Sequence, residues 1–129
     1  MRNAESKATN EFRLKLESCG AYFVKLSDRF TRGVPDSFVV TSRGVTLIEF
    51  KYGDYKHVCT WKELGLSGLQ DQRIREICKR NGYGACVIIM TSAGEAALFV
   101  PVAPWLSEPY YRMLHNTFDG IWSWLLLRT

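Results

Sequence analysis

The segment "RGVPDSFVVTSRGVTLIEFKYGD", residues 32–54, contains two apolar runs that carry three charged residues, Asp36, Glu49 and Lys51. The runs "DSFVV" and "VTLIEFK" are typical of β-strands, and the intervening "TSRG" predicts a tight hairpin in which Gly44 adopts a positive φ. Side chains alternate between the two faces of a strand, so Glu49 and Lys51 project to the same side. The pattern therefore predicts a pair of charges on one face of a hairpin strand.

Asp36 joins these charges in either of two hairpin registers. A two-residue turn at "RG" places Asp36 opposite Lys51, whereas a four-residue "TSRG" loop places it opposite Glu49. Both registers gather the three side chains on one face, while a slip of one residue would scatter them. Two neighbouring carboxylates repel each other unless a cation lies between them. Oxygen ligands without Cys or His favour Mg²⁺ or Mn²⁺ at such a site.

A divalent ion on carboxylates, with an ammonium group beside it, indicates phosphodiester hydrolysis. Such an ion binds phosphate oxygens, and Lys51 can stabilise an attacking hydroxide or the charge that develops around phosphorus. The alternative is a surface salt bridge of Lys51 with Asp36 or Glu49, on a sheet face that is exposed to water.

The composition is that of a folded protein with a single core. The 129 residues are 47% hydrophobic and 23% charged, which excludes a disordered tail. The net charge of +4 suits a polyanionic partner such as nucleic acid. The four cysteines lack CxxC spacing, so we expect thiols in a reducing compartment. The first residues, "MRNAESKATNEF", contain no long apolar stretch, so we expect a cytoplasmic protein without a membrane span.

Two helices follow from hydrophobic periodicity and capping residues. The first is predicted over Ala4–Cys19, with Glu11 at the margin of its apolar face and Gly20 at its end. The second is predicted to begin after Ser67, and the spacing of Ser67 and Gln70 is that of a capping box.

The remaining elements are strands and a C-terminal segment. "AYFVKL", "ACVIIM" and "AALFVPV" are predicted strands, and the chain from Pro104 onward is predicted to be helical and aromatic, with a break at Gly120. We divide the chain into a core, residues 1–103, and a helical extension, residues 104–129. The extension either packs on the core or forms a dimer interface.

"VPD", "IEFK" and a helix that opens with "LSGLQ" resemble the PD-(D/E)XK nuclease superfamily. Within it the chain is most similar to VRR-NUC type domains and archaeal-type Holliday junction resolvases. The resemblance covers roughly Glu11 to Val100, in the order helix, strand, hairpin, helix, strand. It implies an α/β restriction-endonuclease-like fold, with a mixed central β-sheet flanked by helices.

The resemblance also implies roles for single residues. It makes Asp36 and Glu49 metal-binding carboxylates and Lys51 the catalytic lysine, and it adds the main-chain carbonyl of Phe50 as a metal ligand. Glu11 is similar to the acidic residue of the family's first helix, which approaches the metal directly or through water. The alternative for Glu11 is an ordinary solvated glutamate.

Gln70 is similar to the catalytic glutamine on the family's second core helix, but its spacing from Ser67 also fits a helix cap. The segment "YGDYKHVCTWKELGL" is more aromatic than a minimal resolvase implies. Its Tyr52, Tyr55 and Trp61 either stack on unpaired bases or cover the edge of the sheet.

The resemblance implies a Mg²⁺-dependent DNA endonuclease that leaves a 5′ phosphate, with branched DNA, particularly a Holliday junction, as the expected substrate. Basic residues that flank the site and could contact phosphates are Arg29, Arg32, Arg43, Lys56 and Lys62. Because a junction must be cut on two symmetric strands, we expect a C₂ homodimer. One alternative is a nuclease for flaps, single strands or duplex ends in repair, restriction or phage defence. Another is a catalytically silent nucleic-acid-binding module that retains the fold.

Overall fold

The computed structural model describes residues 4–26, 35–56, 58–81, 85–90, 95–101, 109–114 and 118–127. Its elements in chain order are α1 (Ala4–Ser18), β1 (Tyr22–Lys25), β2 (Ser37–Thr41), β3 (Gly44–Tyr52), β4 (Val58–Cys59), α2 (Gly68–Asn81), β5 (Ala85–Met90), β6 (Ala96–Pro101), β7 (Tyr110–Leu114) and α3 (Phe118–Leu127).

The strands form one seven-stranded mixed sheet in the order β1-β2-β3-β5-β6-β7-β4. β3 and β5 pair in parallel, and the other neighbouring strands pair antiparallel. Parallel neighbours need a crossover connection, and here the crossover contains α2. Because the chain must return to the start of β5, α2 begins near the end of β3 that carries Glu49 and Lys51.

Helices α1 and α3 cover one face of the sheet. The large buried apolar side chains on this face are Phe12, Leu16, Phe23, Val39, Ile48, Phe50, Leu98, Ile121 and Leu125. The rings of Phe12 and Phe50 meet edge to face, with their centroids 5.9 Å apart. This packing attaches α1 to the centre of the sheet.

Helix α2 lies over the opposite face. The buried apolar residues of this second core are Cys59, Leu64, Leu66, Ile74, Cys78, Val87, Ala97, Phe99 and Tyr110. Leu47 of β3 packs against this core, so the alternation along the strand puts Glu49 and Lys51 on the α2 face as well. The two charged side chains therefore share a face with the first turn of α2.

The hairpin of β2 and β3 has the register predicted for Asp36 opposite Glu49. Ser37 pairs with Ile48 and Thr41 pairs with Gly44, so the turn is a two-residue one at Ser42 and Arg43. The prediction of a two-residue turn at "RG" is wrong. The prediction of a four-residue "TSRG" loop has the correct register, but the loop is only two residues long because Thr41 and Gly44 also pair. Gly44 has a φ of 122°, as expected.

The prediction of a wholly helical segment after Pro104 is wrong for β7. In Tyr110–Leu114 the side chain of Tyr110 is fully buried while that of Tyr111 is 48% exposed, which is the alternation of a strand. The strand forms because β6 and β4 both pair with it. Gly120 is also not a break, since α3 runs through it.

The C-terminal elements are part of the packed structure. β7 is a member of the single sheet, and Ile121 and Leu125 of α3 are buried in the core shared with α1. Of the helices in the described ranges, none combines the length and the apolar character that crossing a membrane requires.

Candidate active site

Asp36 and Glu49 meet at the open end of the β2–β3 hairpin. The backbone N–H of Asp36 donates a hydrogen bond to Oε1 of Glu49 over 3.2 Å. The hydroxyl of Ser37 donates to Oδ1 of Asp36 over 3.1 Å, which helps to orient that carboxylate. Glu49 is only 5% exposed, although it carries a charge when ionised.

Burial, and after it the neighbouring charge of Asp36, raise the pKa of Glu49 from 4.5 to about 7. Lys51 and the backbone N–H of Asp36 oppose the shift without cancelling it. Without a further cation, the negative charge of Asp36 and Glu49 is therefore only partly balanced by Lys51. A divalent ion would supply the missing positive charge.

Lys51 lies beside the carboxylates on the same face of β3. Its Nζ is 3.7 Å from Oε2 of Glu49 and donates a hydrogen bond to the main-chain carbonyl of Gly65 over 3.1 Å. The ammonium group is thus held between a carboxylate and a fixed backbone acceptor.

Gln70 makes both of the contacts that the sequence left as alternatives. Its backbone N–H donates to Oγ of Ser67, and its Oε1 accepts from the backbone N–H of Ser67, which completes a capping box. Its Nε2 donates to Oε2 of Glu49 over 3.2 Å. The cap therefore orients the amide towards the site, and Gln70 touches the candidate metal ligand.

The main-chain carbonyl of Phe50 receives no backbone hydrogen bond from Pro35. Thr41 and Gly44 pair across the turn, so every second residue of β3 from Gly44 onward directs its backbone groups towards β2. The pairing ends at Ser37 and Ile48; continued for two residues, the same register would put Pro35 opposite Phe50, and proline has no N–H to donate. The Phe50 carbonyl therefore points to the β2 side of the strand, beside Glu49, with no ladder bond available from Pro35.

The structure does not bring Glu11 into a cluster with the two carboxylates. Glu11 is exposed on α1, which packs on the opposite face of the sheet through Phe12. Across the described ranges, no three or more His, Cys, Asp or Glu residues group together as a metal site. The oxygens that the hairpin supplies are those of Asp36, Glu49 and the Phe50 carbonyl, and this hard donor set fits Mg²⁺ or Mn²⁺.

The basic residues predicted to bind DNA lie in different places. Arg29 and Arg32 are outside the described residues. Arg43 is in the hairpin turn, six residues and about 20 Å along β3 from Glu49, and so is not next to the carboxylates. Lys56 and Lys62 are exposed in the segment between β3 and α2.

Two of the three aromatic residues in this segment pack on the protein. Tyr55 and Trp61 are half-buried against the core under α2, which favours the prediction that they cover the sheet. Tyr52 is 37% exposed at the end of β3.

Gly65 was not identified as a site residue from the sequence, yet its carbonyl holds Lys51. The signal was present: Thr60-x-x-Glu63 has capping-box spacing, and a glycine two residues later is typical of a helical turn that ends there.

The mixed sheet, with helices on both faces and charged residues at the end of a central hairpin, is the predicted restriction-endonuclease-like α/β fold. The chain is similar to the 1.6 Å structure of Archaeoglobus fulgidus Hjc, a Holliday junction resolvase from an archaeal hyperthermophile, with a TM-score of 0.52 and 11% identity. The match covers 90% of this chain and 92% of that chain. The predicted PD-(D/E)XK fold is therefore confirmed. No protein-family model matches the sequence, and comparison with curated proteins finds no match.

We predict that the metal-free protein loses stability as Glu49 ionises. Its folded-state pKa of about 7 lies above the ordinary value of 4.5, so between these values the folded state binds more protons than the unfolded state. The free energy of unfolding should fall as the pH rises through this window, by up to about 3 kcal/mol, and level off above it. Urea unfolding in EDTA from about pH 4 to about pH 8 measures the slope.

Glu49→Gln should flatten this slope, because an amide does not ionise. Glu11→Gln alters an exposed carboxylate on α1 and is the matched control, which should retain the slope of the wild type. A slope that persists in Glu49→Gln would show that another group causes the pH dependence.

A second prediction separates the two contacts of Gln70. In Gln70→Glu the capping box with Ser67 remains, but the donor to Glu49 is lost and another carboxylate faces it. In EDTA, the free energy of unfolding should change little near about pH 5, where Glu49 is protonated, and fall by about 1–2 kcal/mol near about pH 8. Mn²⁺ should reverse the loss. Equal losses at both pH values would argue that the cap is the whole role of Gln70.

Proposed function

We propose that the protein is a metal-dependent endonuclease that hydrolyses phosphodiester bonds in branched DNA, with a Holliday junction as its favoured substrate. One observation carries the proposal: the buried carboxylate of Glu49 lies beside the half-buried Asp36, and its pKa is raised although the ammonium group of Lys51 is 3.7 Å away. The pair lies in a fold shared with a Holliday junction resolvase.

Asp36, Glu49 and the main-chain carbonyl of Phe50 would hold Mg²⁺ or Mn²⁺. When bound, the ion supplies an activated water and stabilises negative charge on the phosphate. The residues fit the ion because the donors are oxygens and because burial and Asp36 already raise the pKa of Glu49.

The side chains around the carboxylates have separate tasks in this proposal. Lys51 is the catalytic lysine, and its ammonium group stabilises an attacking hydroxide or the charge that develops around phosphorus. Gln70 donates to Oε2 of Glu49 and so fixes the orientation of that carboxylate. The hydroxyl of Ser37 does the same for Asp36.

Branched DNA is proposed as the substrate because the structural neighbour is a Holliday junction resolvase and the chain has a net charge of +4. Arg29, Arg32, Arg43, Lys56 and Lys62 are the proposed phosphate contacts. Two symmetric cuts require two sites, so we propose a C₂ homodimer. We also propose that the protein is cytoplasmic, since its four cysteines are thiols rather than disulfides.

The cleavage test uses an end-labelled four-way junction beside matched duplex, flap and single-stranded DNA, with Mg²⁺ or EDTA. The wild type should make paired symmetric cuts on the junction, and Glu49→Ala and Lys51→Ala should reduce the cleavage rate at least about 100-fold. Both variants should still fold and bind the junction. Lys79→Ala, at an exposed position on α2, is the matched lysine control and should cleave normally.

The outcomes of this assay distinguish the alternatives. Cleavage of flaps, single strands or duplex ends in place of the junction would retain the active site and replace the substrate. Full activity in both Glu49→Ala and Lys51→Ala would contradict the proposed site.

A catalytically silent nucleic-acid-binding module is the second candidate. It is favoured by one observation: in the described residues the hairpin brings together two carboxylates and not a cluster of three acidic side chains. Metal binding discriminates the candidates, because the nuclease must bind a divalent ion and the module need not.

Isothermal titration with Mn²⁺ makes this comparison without DNA. We expect Asp36→Asn and Glu49→Gln each to weaken Mn²⁺ binding by about tenfold or more, because each removes a ligand charge. Glu17→Gln, at an exposed carboxylate on α1, should bind as the wild type does. Undetectable binding to the wild type would favour the silent module.

A further inference from the structure

The segment Thr60–Ser67 connects β4 to α2 and begins with its own capping box. The backbone N–H of Thr60 donates to Oε1 of Glu63 over 2.8 Å, and the N–H of Glu63 donates to Oγ of Thr60 over 3.1 Å. The N–H of Leu64 then donates to the carbonyl of Thr60, which closes one helical turn. Reciprocal caps of this kind fix the start of a helix, so the turn has a defined beginning.

The same turn has a defined end at Gly65. The N–H of Leu66 donates to the carbonyl of Trp61, and the N–H of Gly65 donates to the carbonyl of Lys62. These two bonds are the Schellman arrangement, which requires a left-handed residue at its C′ position. Gly65 occupies that position with a φ of 77°. Its own carbonyl lies beyond the turn and is available to another partner.

The second half of this connection reaches the candidate active site. The carbonyl of Gly65 accepts the hydrogen bond from Nζ of Lys51. Two residues later, Ser67 holds the side chain of Gln70, whose amide donates to Glu49. The eight residues Thr60–Ser67 thus fix two side chains that contact Glu49: Lys51 from β3 and Gln70 from α2.

We infer that Thr60–Ser67 is the positioning element of the active site and that Gly65 is the positioning residue for Lys51. This inference rests on the proposed nuclease function. Lysine has a long, flexible side chain, and a backbone acceptor at a fixed place limits the positions of its ammonium group. The acceptor is fixed because the left-handed conformation of Gly65 directs its carbonyl to Lys51.

The inference predicts a loss of kcat with little change in KM. Gly65 does not touch DNA in this proposal, so its displacement leaves ground-state binding intact and misplaces a group that acts in the transition state. A misplacement of about 1 Å is enough for a loss of about 10- to 100-fold in rate.

The test compares three glycine variants. Gly65→Val puts a β-branched residue, which rarely adopts a positive φ, at the left-handed position, whereas Gly65→Asn introduces a residue that tolerates this conformation. Apart from the two chain neighbours, no atom of the described residues lies within 4 Å of a Cβ added at Gly65, so the difference between the two variants reports on the backbone conformation.

Gly20→Val is the matched control. Gly20 has a φ of 94° and ends α1 in the same pair of hydrogen bonds, from Ala21 to Leu16 and from Gly20 to Glu17. A Cβ there also meets no atom within 4 Å. The substitution therefore imposes a comparable backbone change at the end of a helix that packs on the other face of the sheet.

Single-turnover and steady-state cleavage, Mn²⁺ titration and thermal unfolding are measured for all variants. Gly65→Val should lower kcat by about tenfold or more, with KM and the Mn²⁺ affinity within about threefold of the wild type, and Gly65→Asn should restore most of kcat. Gly20→Val should lower the melting temperature about as much as Gly65→Val and retain kcat.

Each other outcome overturns the inference. If Gly65→Val keeps its kcat while the wild type is active, the nuclease function stands and the positioning role is wrong. If Gly20→Val loses kcat to the same degree, general destabilisation explains the effect. If the wild type cleaves none of the DNA substrates, the proposed function fails first and removes the basis of the inference.

Discussion

The register of the β2–β3 hairpin decides which side chains meet at the site. Pairing of Ser37 with Ile48 puts Asp36 opposite Glu49, and the period of two along β3 puts Lys51 on the same face. A shift of one residue would turn Asp36 to the opposite face. The two-residue turn fixes this choice, because the hydrogen-bonded pair next to it aligns every pair that follows. The same alignment directs the Phe50 carbonyl to the β2 side of the strand, so the turn determines the direction of this carbonyl as well as the positions of the two carboxylates.

The parallel pairing of β3 and β5 provides the rest of the site. Because β5 runs parallel to β3, the chain must return to the edge of the sheet at which β3 begins. Helix α2 makes that return on the face where Glu49 and Lys51 project. The first turn of α2 must then lie near the end of β3, which is where Gln70 reaches Glu49. The connection that leads into α2 passes the same end and supplies the carbonyl of Gly65. Among the described residues, the hydrogen bonds that Glu49 and Lys51 make outside the hairpin therefore go to this one crossover, at Gln70 and Gly65.

The features that depend on local periodicity could be predicted from the sequence, and those that depend on distant pairing could not. Strand alternation was enough to place Glu49 and Lys51 together, and capping spacing was enough to locate the start of α2. The two possible hairpin registers differ in whether Thr41 can pair with Gly44, and the residues "TSRG" alone do not decide this. β7 was missed because five residues in an aromatic segment form a strand only when β4 and β6 flank them. The bond from Lys51 to Gly65 joins residues 14 positions apart. Capping spacing indicates the turn that ends at Gly65, but it does not indicate which side chain meets the Gly65 carbonyl.

The electrostatics favour a cation site over a structural ion pair. In an ordinary surface salt bridge both partners are exposed, and the cation lowers the pKa of its carboxylate. Here Glu49 is 5% exposed, and its pKa is raised to about 7 although Lys51 lies 3.7 Å away. Burial and the charge of Asp36 outweigh the opposing effect of Lys51 on the pKa of Glu49. A salt bridge that stabilised the ionised carboxylate would lower this pKa instead. In the proposed function a cation between Asp36 and Glu49 would remove this imbalance, with oxygens of Asp36, Glu49 and Phe50 as its proposed ligands.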